Sequence, residues 1–487
     1  MLNEKPKKAN DKKSSNNFFK NVFIVLLSNI FSIISGTLIG FVIPKLMGVS
    51  EYGYYKTFTL YCSYIGIFHF GFIDGIYLKY AGKKFDDLNK NRFRTYSKFL
   101  IFGETFVSLL VVITSLFYIK SSLFYILLFF GLNIMATNIT TYFEFVSQIT
   151  MQFKRITFRN VIRCTLNVVS ICILFVLYKF YNVMIYYYYY AVVVVLINYI
   201  LAVWYTISYR SIVFGQSDKF LEVKQDILSF FKIGVPLLLS NLIAQLIFVV
   251  DQQFVNIAFD NETYSIYAFS YNMISLITVA TNAISTVLYP TLKTLNESTI
   301  TKNYTKLNSY LLLFVSFGLI LYYPLSIIVN VFLPDYLDSL NIFKIIFPGV
   351  VFSSSISVVK YNCYKNLGQI SNYFIKSLII LCISIIADLV AYYCFRTTIA
   401  ISIASILVLI IWYLLIDFYF IKKYKVSWIK NFVYALFIVS VFYGCLLMKN
   451  IYIGGIMYLS VFSIISCFAY KKEIVEIIQM ICRRHKS

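Results

Sequence analysis

The stretch FFKNVFIVLLSN at residues 18–29 returns as FFKIGVPLLLSN at residues 230–241, with seven of twelve positions identical and no gap. The same spacing of 212 residues relates three tyrosines further along each copy, since Tyr52, Tyr55 and Tyr77 recur as Tyr264, Tyr267 and Tyr289. A fixed spacing over such lengths is typical of a structural unit that occurs twice in one chain. The sequence therefore predicts two copies of one fold.

Each copy is strongly apolar. The 487 residues are 60% hydrophobic and 13% charged, whereas about a quarter of a soluble domain is charged. A helix that crosses a bilayer needs about 20 apolar residues, and by that measure the sequence predicts an all-α polytopic membrane protein with about fourteen transmembrane helices. We place them at residues 19–43, 57–78, 98–118, 122–148, 158–178, 182–206, 229–254, 264–289, 308–332, 341–364, 372–395, 398–421, 431–448 and 451–470.

The basic residues give the orientation of these helices. If both chain ends are cytoplasmic, 36 of the 43 lysines and arginines lie on the cytoplasmic side and seven on the other, as the positive-inside rule expects. Helices 1 and 7 then run in the same direction, so the repeat is parallel. This predicts two pseudo-symmetric six-helix bundles, with the remaining segments around them: tail 1–18, bundle 19–206, cytoplasmic linker 207–228, bundle 229–421, helices 13 and 14 in 422–470, and tail 471–487.

Composition and motifs also exclude several classes of function. The net charge of +22 is dispersed in short clusters between apolar runs, so no nucleic-acid partner is expected. Nine cysteines show no Cys-x-x-Cys pair and no accompanying histidine cluster, which argues against a disulfide framework or a metal site. Neither GxxxxGK(S/T) nor GxGxxG occurs. We expect no cofactor, no catalytic residues and no enzyme activity.

Five short motifs carry a resemblance to a known family, and in chain order they are GVSEYG (48–53), GFIDGIYLKY (71–80), DQQ (251–253), YAF (267–269) and LPDY (333–336). Together they resemble the bacterial polysaccharide transporters, the O-antigen and capsule flippases within the superfamily of multidrug extruders and lipid II flippases. The resemblance implies transport of an undecaprenyl-pyrophosphate-linked oligosaccharide across the bacterial cytoplasmic membrane. It implies alternating access around a cavity lined by helices 1, 2, 7 and 8. Membrane lipids and polymerase or assembly proteins are the expected partners.

A sugar–pyrophosphate headgroup cannot cross hydrocarbon unaided, because each unpaired polar group loses its hydration at a cost of several kcal/mol. A carrier must therefore supply cations for the phosphates and amides or hydroxyls for the sugar. For Lys79 the alternative is an interfacial lysine that obeys the positive-inside rule, and for Lys360 it is snorkelling to the cytoplasmic surface. For the asparagines it is a polar contact between helices. The candidates for this cavity are Asn29, Asp74, Lys79, Asn241, Gln245, Asn272 and Lys360.

Acids inside membrane helices are rare and costly, which makes each a functional hypothesis. Glu104, Asp251 and Asp388 are the ion-coupling candidates. The alternatives are an ion pair between helices for Glu104 and Asp388, and a solvated helix end for Asp251. Glu144 and Arg163, near the cytoplasmic ends of consecutive helices, are expected to form a structural salt bridge.

Two other functions remain open at this point. A cation-coupled multidrug extruder shares the superfamily fold, but is expected to have twelve helices and an acid-rich cavity. A membrane enzyme such as a polysaccharide polymerase is expected to have a large external loop or paired catalytic acids near the outer face. Fourteen helices, a basic total charge and short external loops favour the flippase.

Overall fold

A computed structural model describes the backbone of residues 6–293, 295–448 and 450–484. Its described side chains exclude residues 1–30, 33, 283, 286, 287, 289–291, 294, 449, 477, 478 and 480–487. The part of the chain so described is helical, without a β-strand, and forms fourteen helices. Twelve stretches within it are long and apolar enough to cross a membrane. The predicted all-α membrane fold with two repeated bundles is confirmed.

The helices follow the apolar runs. The first helical stretch, Pro6–Cys62, bends at Gly48, whose φ of 75° is not helical, and this divides α1 (residues 6–47) from α2 (residues 49–80). The others are α3 Lys90–Tyr118, α4 Leu123–Ile149, α5 Phe153–Tyr181, α6 Tyr187–Ser208, α7 Phe220–Ala258, α8 Asn261–Lys293, α9 Glu297–Phe332, α10 Ser339–Asn366, α11 Ile370–Phe395, α12 Thr398–Tyr424, α13 Ile429–Leu446 and α14 Ile451–Arg484.

Several predicted boundaries are wrong in one direction, since the helices extend beyond the apolar runs. The helix α7 begins at Phe220, inside the segment 207–228 that was predicted as a linker. Val223 and Ile227, one turn apart, are buried while Glu222 and Lys224 beside them are exposed. Such an amphipathic extension has a helical period but low mean hydropathy, so a measure of apolar length misses it.

The chain divides into two compact units, Met1–Leu242 and Ile243–Ser487, called here the N-terminal and C-terminal units. The core of the N-terminal unit joins α2, α3, α4 and α6 to the first turns of α7. Its buried aromatic side chains include Phe72, Phe93, Tyr142, Tyr205 and Phe230. The division of the chain into the predicted domains stays a prediction.

Glycines allow α2 and α7 to touch through their backbones. Gly71 has a φ of 80°, and a Cβ there would lie 2.5 Å from the backbone nitrogen of Val235. A Cβ on Gly75 would overlap the backbone of Phe230, and one on Gly234 would overlap the carbonyl of Gly71. Small residues spaced by four let membrane helices approach closely. The glycines of the GFIDG motif therefore have a packing role.

Three other motifs also stabilise local structure. The carboxylate of Glu51, in GVSEYG, accepts a hydrogen bond of 2.9 Å from the backbone nitrogen of Tyr187 at the start of α6. An acid at a helix N-terminus satisfies an unpaired N–H and complements the helix dipole. In the C-terminal unit the rings of Phe269 and Tyr336 pack with centroids 4.7 Å apart, joining the YAF and LPDY motifs.

Candidate functional site

Asp251 of α7 lies inside the C-terminal unit with 3% of its surface exposed. Its carboxylate accepts hydrogen bonds from three hydroxyl groups: Tyr267 at 2.9 Å, Tyr271, and Ser405 of α12 at 2.9 Å. The first two donors lie one turn apart on α8. The helices α8 and α12 thus supply hydrogen-bond donors to an acceptor on α7, and these bonds hold the carboxylate in a single orientation. The alternative of a solvated helix end is wrong.

A second acid approaches the first. Asp388 of α11 is 1% exposed, and neither of its carboxylate oxygens has a hydrogen-bond partner among the described residues. About one turn further along each helix, the rings of Phe254 on α7 and Tyr392 on α11 pack with centroids 5.7 Å apart, which brings Asp388 to the level of Asp251. Two buried carboxylates repel each other unless a positive charge is shared between them. The arrangement therefore suits a proton or a small hard cation, for which carboxylate and hydroxyl oxygens are the appropriate ligands.

The C-terminal unit also contains a buried ion pair. Lys360 of α10 is 0% exposed, and its Nζ lies 2.9 Å from Oδ2 of Asp417 on α12, itself 2% exposed. The same ammonium donates to the backbone carbonyl of Tyr413 at 2.9 Å, and the hydroxyl of Tyr304 donates to Asp417. Lys360 ends a π-helical turn, Ser355–Lys360, a feature that often accompanies functional positions. The alternative of a snorkelling Lys360 is wrong, because the side chain points into the unit.

The chain has the fold of the lipid II flippase MurJ. A structure of that protein in an inward closed conformation superposes with a TM-score of 0.68 at 17% identity, covering 94% of this chain and 100% of that one. An inward-facing multidrug resistance MATE family transporter of the MOP superfamily superposes with a TM-score of 0.59 at 11% identity, covering 82% and 96%. No family model and no curated protein matches the sequence. These identities establish a shared fold and nothing finer.

The third ion-coupling candidate belongs to the N-terminal unit. Glu104 of α3 is buried and accepts a hydrogen bond of 2.7 Å from the side-chain amide of Asn138 on α4. That amide also reaches the carbonyl of Ile65 at 3.3 Å. Glu104 is thus held by a neutral partner, and the alternative of an ion pair is not observed for it among the described residues.

The predicted salt bridge between Glu144 and Arg163 is wrong in its basic partner. Glu144 pairs with Arg159, while Arg163 donates to the side chain of Asn198 at 3.3 Å. The helix α5 begins at Phe153, five residues before the predicted start. Arg159, one turn nearer that start, therefore lies at the level of Glu144.

Lys79 and Asp74 point to different neighbours, as expected for residues five apart. Lys79 lies 2.8 Å from Asp226 in an exposed network that Arg92 joins at 2.9 Å. Tyr96 also donates to Asp226. Asp74 is buried next to His69. A role for Lys79 and Asp74 in substrate binding stays a prediction.

The polar residues expected at the cavity are only partly described. Asn29 lies outside the residues whose side chains the structure describes. Asn241 is exposed, and Gln245 and Asn272 are half-buried. Their convergence on one substrate stays a prediction.

Sequence reasoning missed the partners that complete both buried clusters. Asp417 meets the same criterion as Asp388, an acid in an apolar run, but it lies near the predicted end of helix 12, where an interfacial position is the simpler interpretation. The helix continues to Tyr424, which puts Asp417 inside. Ser405 and Tyr271 carry no comparable signal, because hydroxyl groups are common in membrane helices.

Proposed function

We propose that this protein is a cation-coupled flippase for lipid-linked oligosaccharides. It moves undecaprenyl-pyrophosphate-linked repeat units from the cytoplasmic to the outer leaflet of the bacterial cytoplasmic membrane, where they supply a surface polysaccharide such as O-antigen, capsule or exopolysaccharide. The observation that carries the proposal is the pair of like-charged acids Asp251 and Asp388, buried in a fold shared with a lipid II flippase.

A flippase changes no covalent bond, so its task is one of solvation and direction. The carrier replaces water around the headgroup while the polyprenyl tail stays in lipid. Direction requires an energy source, and one elementary charge moving across the membrane is worth about 2.3 kcal/mol per 100 mV. A site such as Asp251 and Asp388, which binds a cation in one conformation and releases it in another, can supply that coupling.

The alternative of a multidrug extruder receives less support from the fold. The superposition with the MATE transporter includes 96% of that protein but 82% of this chain. The superposition with the lipid II flippase includes all of that protein and 94% of this chain. The additional length of this chain therefore has counterparts in the flippase.

A polymerase is supported less still. The paired acids Asp251 and Asp388 are almost completely buried among helices. A catalytic acid must come within hydrogen-bond reach of its substrate, and neither carboxylate in this conformation is accessible to a saccharide. Their arrangement suits ion binding better than glycosyl transfer.

The direct test is translocation in proteoliposomes. Purified protein is reconstituted with a short-chain polyprenyl-pyrophosphate oligosaccharide, and an impermeant glycosidase measures the fraction of headgroups in the outer leaflet. We expect a proton or sodium gradient to accelerate translocation, and the Asp251→Asn variant to abolish that acceleration. Translocation at the rate of protein-free vesicles would contradict the proposal.

A cellular test separates the flippase from the extruder. Deletion of the gene is expected to remove a surface polysaccharide without sensitising cells to toxic cations, and the wild-type gene but not its Asp251→Asn form is expected to restore the polymer. Drug sensitivity with intact polysaccharide would favour the extruder.

A further inference from the structure

The helix α2 is interrupted within the N-terminal unit. After Cys62 the chain forms a 3₁₀ turn, Ile65–His69, passes through left-handed conformations at Phe70 (φ 49°) and Gly71 (φ 80°), and resumes as the helix Phe72–Tyr80. Interrupted membrane helices commonly bind ions in transporters, because their ends present unpaired backbone groups. Side chains at this break are therefore candidates for ion binding.

Two titratable side chains face each other across the break. His69 is 6% exposed and Asp74 is 3% exposed. Nδ1 of His69 lies 3.8 Å from Oδ2 of Asp74. Both residues belong to the segment that packs, through Gly71 and Gly75, against the backbone of α7. The position of the pair is therefore set by rigid backbone contacts.

The two facing atoms are both acceptors. The backbone N–H of Gly71 donates to the single lone pair of Nδ1 of His69 at 3.2 Å. Nδ1 therefore carries no proton, and a proton shared with Asp74 takes the place of this Gly71 contact. Oδ2 of Asp74 is buried and has no hydrogen-bond donor among the described residues. Two acceptors that face each other away from water are unfavourable, whereas one proton between them makes a donor and an acceptor.

We propose that His69 and Asp74 together form a proton-binding site in the N-terminal unit. Binding of one proton changes the charge of the pair from −1 to zero, which the membrane interior favours because it penalises net charge. The pair titrates as a unit, and the proton belongs to both groups. The site is separate from Asp251 and Asp388, and it does not depend on the proposed substrate.

Charged groups on the neighbouring helices are engaged with other partners. On α3, α4 and α7 the contacts are Glu104 with Asn138, Tyr96 with Asp226, Tyr142 with Ser97, Glu144 with Arg159, and Asp226 with Lys79 and Arg92. Lys232 of α7 is exposed. Among these groups, His69 and Asp74 are the two whose facing atoms are both acceptors.

A metal ion fits the pair less well than a proton. Structural zinc sites use four protein ligands and catalytic ones three, and the described residues contain no group of three or more histidine, cysteine or acidic side chains suited to a metal. One imidazole nitrogen and one carboxylate oxygen suffice to hold a proton.

The sequence allows a selective measurement, because it contains two histidines, His69 and His485. The His485→Gln variant, labelled with ¹⁵N-histidine and placed in lipid nanodiscs, reports His69 alone. We expect the Nδ1 signal to change from an unprotonated to a protonated or strongly hydrogen-bonded nitrogen as pH falls. We expect Asp74→Asn in this background to lower the proton affinity of the site by at least about tenfold, one unit in the midpoint.

Two features keep this test decisive. The asparagine side chain introduced by Asp74→Asn has the shape of the aspartate and offers an N–H donor to Nδ1, so the variant should retain the fold. Glu222→Gln, which removes an exposed acid of α7 in the same unit, serves as the control, and we expect it to leave the midpoint unchanged. An Nδ1 signal that is constant with pH, a midpoint that moves less than tenfold in Asp74→Asn, or a change caused by sodium or zinc at constant pH would overturn the proposal. None of these readouts requires transport, so failure here is distinguishable from failure of the flippase assignment.

Discussion

The C-terminal unit contains two buried clusters of ionisable residues that differ in net charge. Lys360 and Asp417 neutralise each other at 2.9 Å, and tyrosines occupy the remaining hydrogen-bonding positions. Asp251 and Asp388 carry the same sign, and only the first has donors among the described residues. The helix α12 contributes to both clusters, through Ser405 and Asp417. Burial is the same in the two places, so burial alone does not mark a functional acid.

The charge of the neighbouring side chain decides whether a buried acid has a structural role or a binding role. A buried ion pair with its hydrogen bonds made is self-sufficient, and its replacement by apolar residues is often neutral. A pair of buried acids is incomplete without an added cation or proton. The first cluster therefore predicts a structural role and the second a binding role, and three experiments separate these roles.

The largest effect is expected from breaking the complementary pair. Lys360→Met leaves Asp417 buried without its cation, which costs about 3–5 kcal/mol in comparable sites. We expect a large loss of folded protein in detergent, measured by size-exclusion yield and thermal unfolding. The double variant Lys360→Met with Asp417→Leu should recover most of that stability. If the double variant is as unstable as the single one, the structural role is wrong.

A smaller effect on stability is expected from the acidic pair, where the substitution should not destabilise the protein in the absence of a cation. Asp388→Asn removes the like charge, so the variant should fold at least as well as the wild type. A cation at about 100 times its dissociation constant stabilises a protein by about 2.7 kcal/mol, and we expect the variant to lose that gain. This stabilisation is measured as the difference in thermal unfolding between sodium or low pH and a buffer with a bulky inert cation. Equal gains in both proteins would remove Asp388 from the site.

A more modest loss is expected at Ser405. Ser405→Ala removes one of three hydroxyl donors to Asp251, and hydrogen bonds to charged groups contribute about 1.5–3 kcal/mol. Because two tyrosine donors remain, we expect the lower end of that range in thermal unfolding. Ser440→Ala, whose hydroxyl bonds the Leu436 carbonyl of its own helix, is the matched control. Equal losses would show that Asp251 does not depend on Ser405.

The smallest change in stability is expected at an exposed ion pair. Lys79→Ala leaves Asp226 with Arg92 and Tyr96, and exposed pairs contribute about 1 kcal/mol or less. Tyr188 of α6 stacks on Tyr125 and Tyr186 and serves as the comparison. We nevertheless expect Lys79→Ala to reduce polymer export more than Tyr188→Ala, since Lys79 is a candidate contact for pyrophosphate. Export in cells, at matched membrane levels, compares the two. Equal export would remove Lys79 from the candidates.

The sequence by itself determined the helices and their repeat, and it singled out Asp251 and Asp388 as acids inside apolar runs. Backbone groups in hydrocarbon must be paired within the segment, so length and apolarity are enough to predict spanning helices. Acids are rare in such segments, which is why Asp251 and Asp388 could be named individually. Amphipathic extensions such as residues 220–228 escaped the same reasoning.

Only the tertiary structure decided which charges meet. The pairing of Lys360 with Asp417, the choice of Arg159 over Arg163, and the approach of Asp388 to Asp251 depend on how each helix is rotated and where it begins. Those quantities are set by many small packing contacts, such as Gly71 and Gly75 against α7, that hydropathy does not encode. His69 and Asp74 face each other because α2 is interrupted between them, and a continuous helix would have directed these side chains elsewhere.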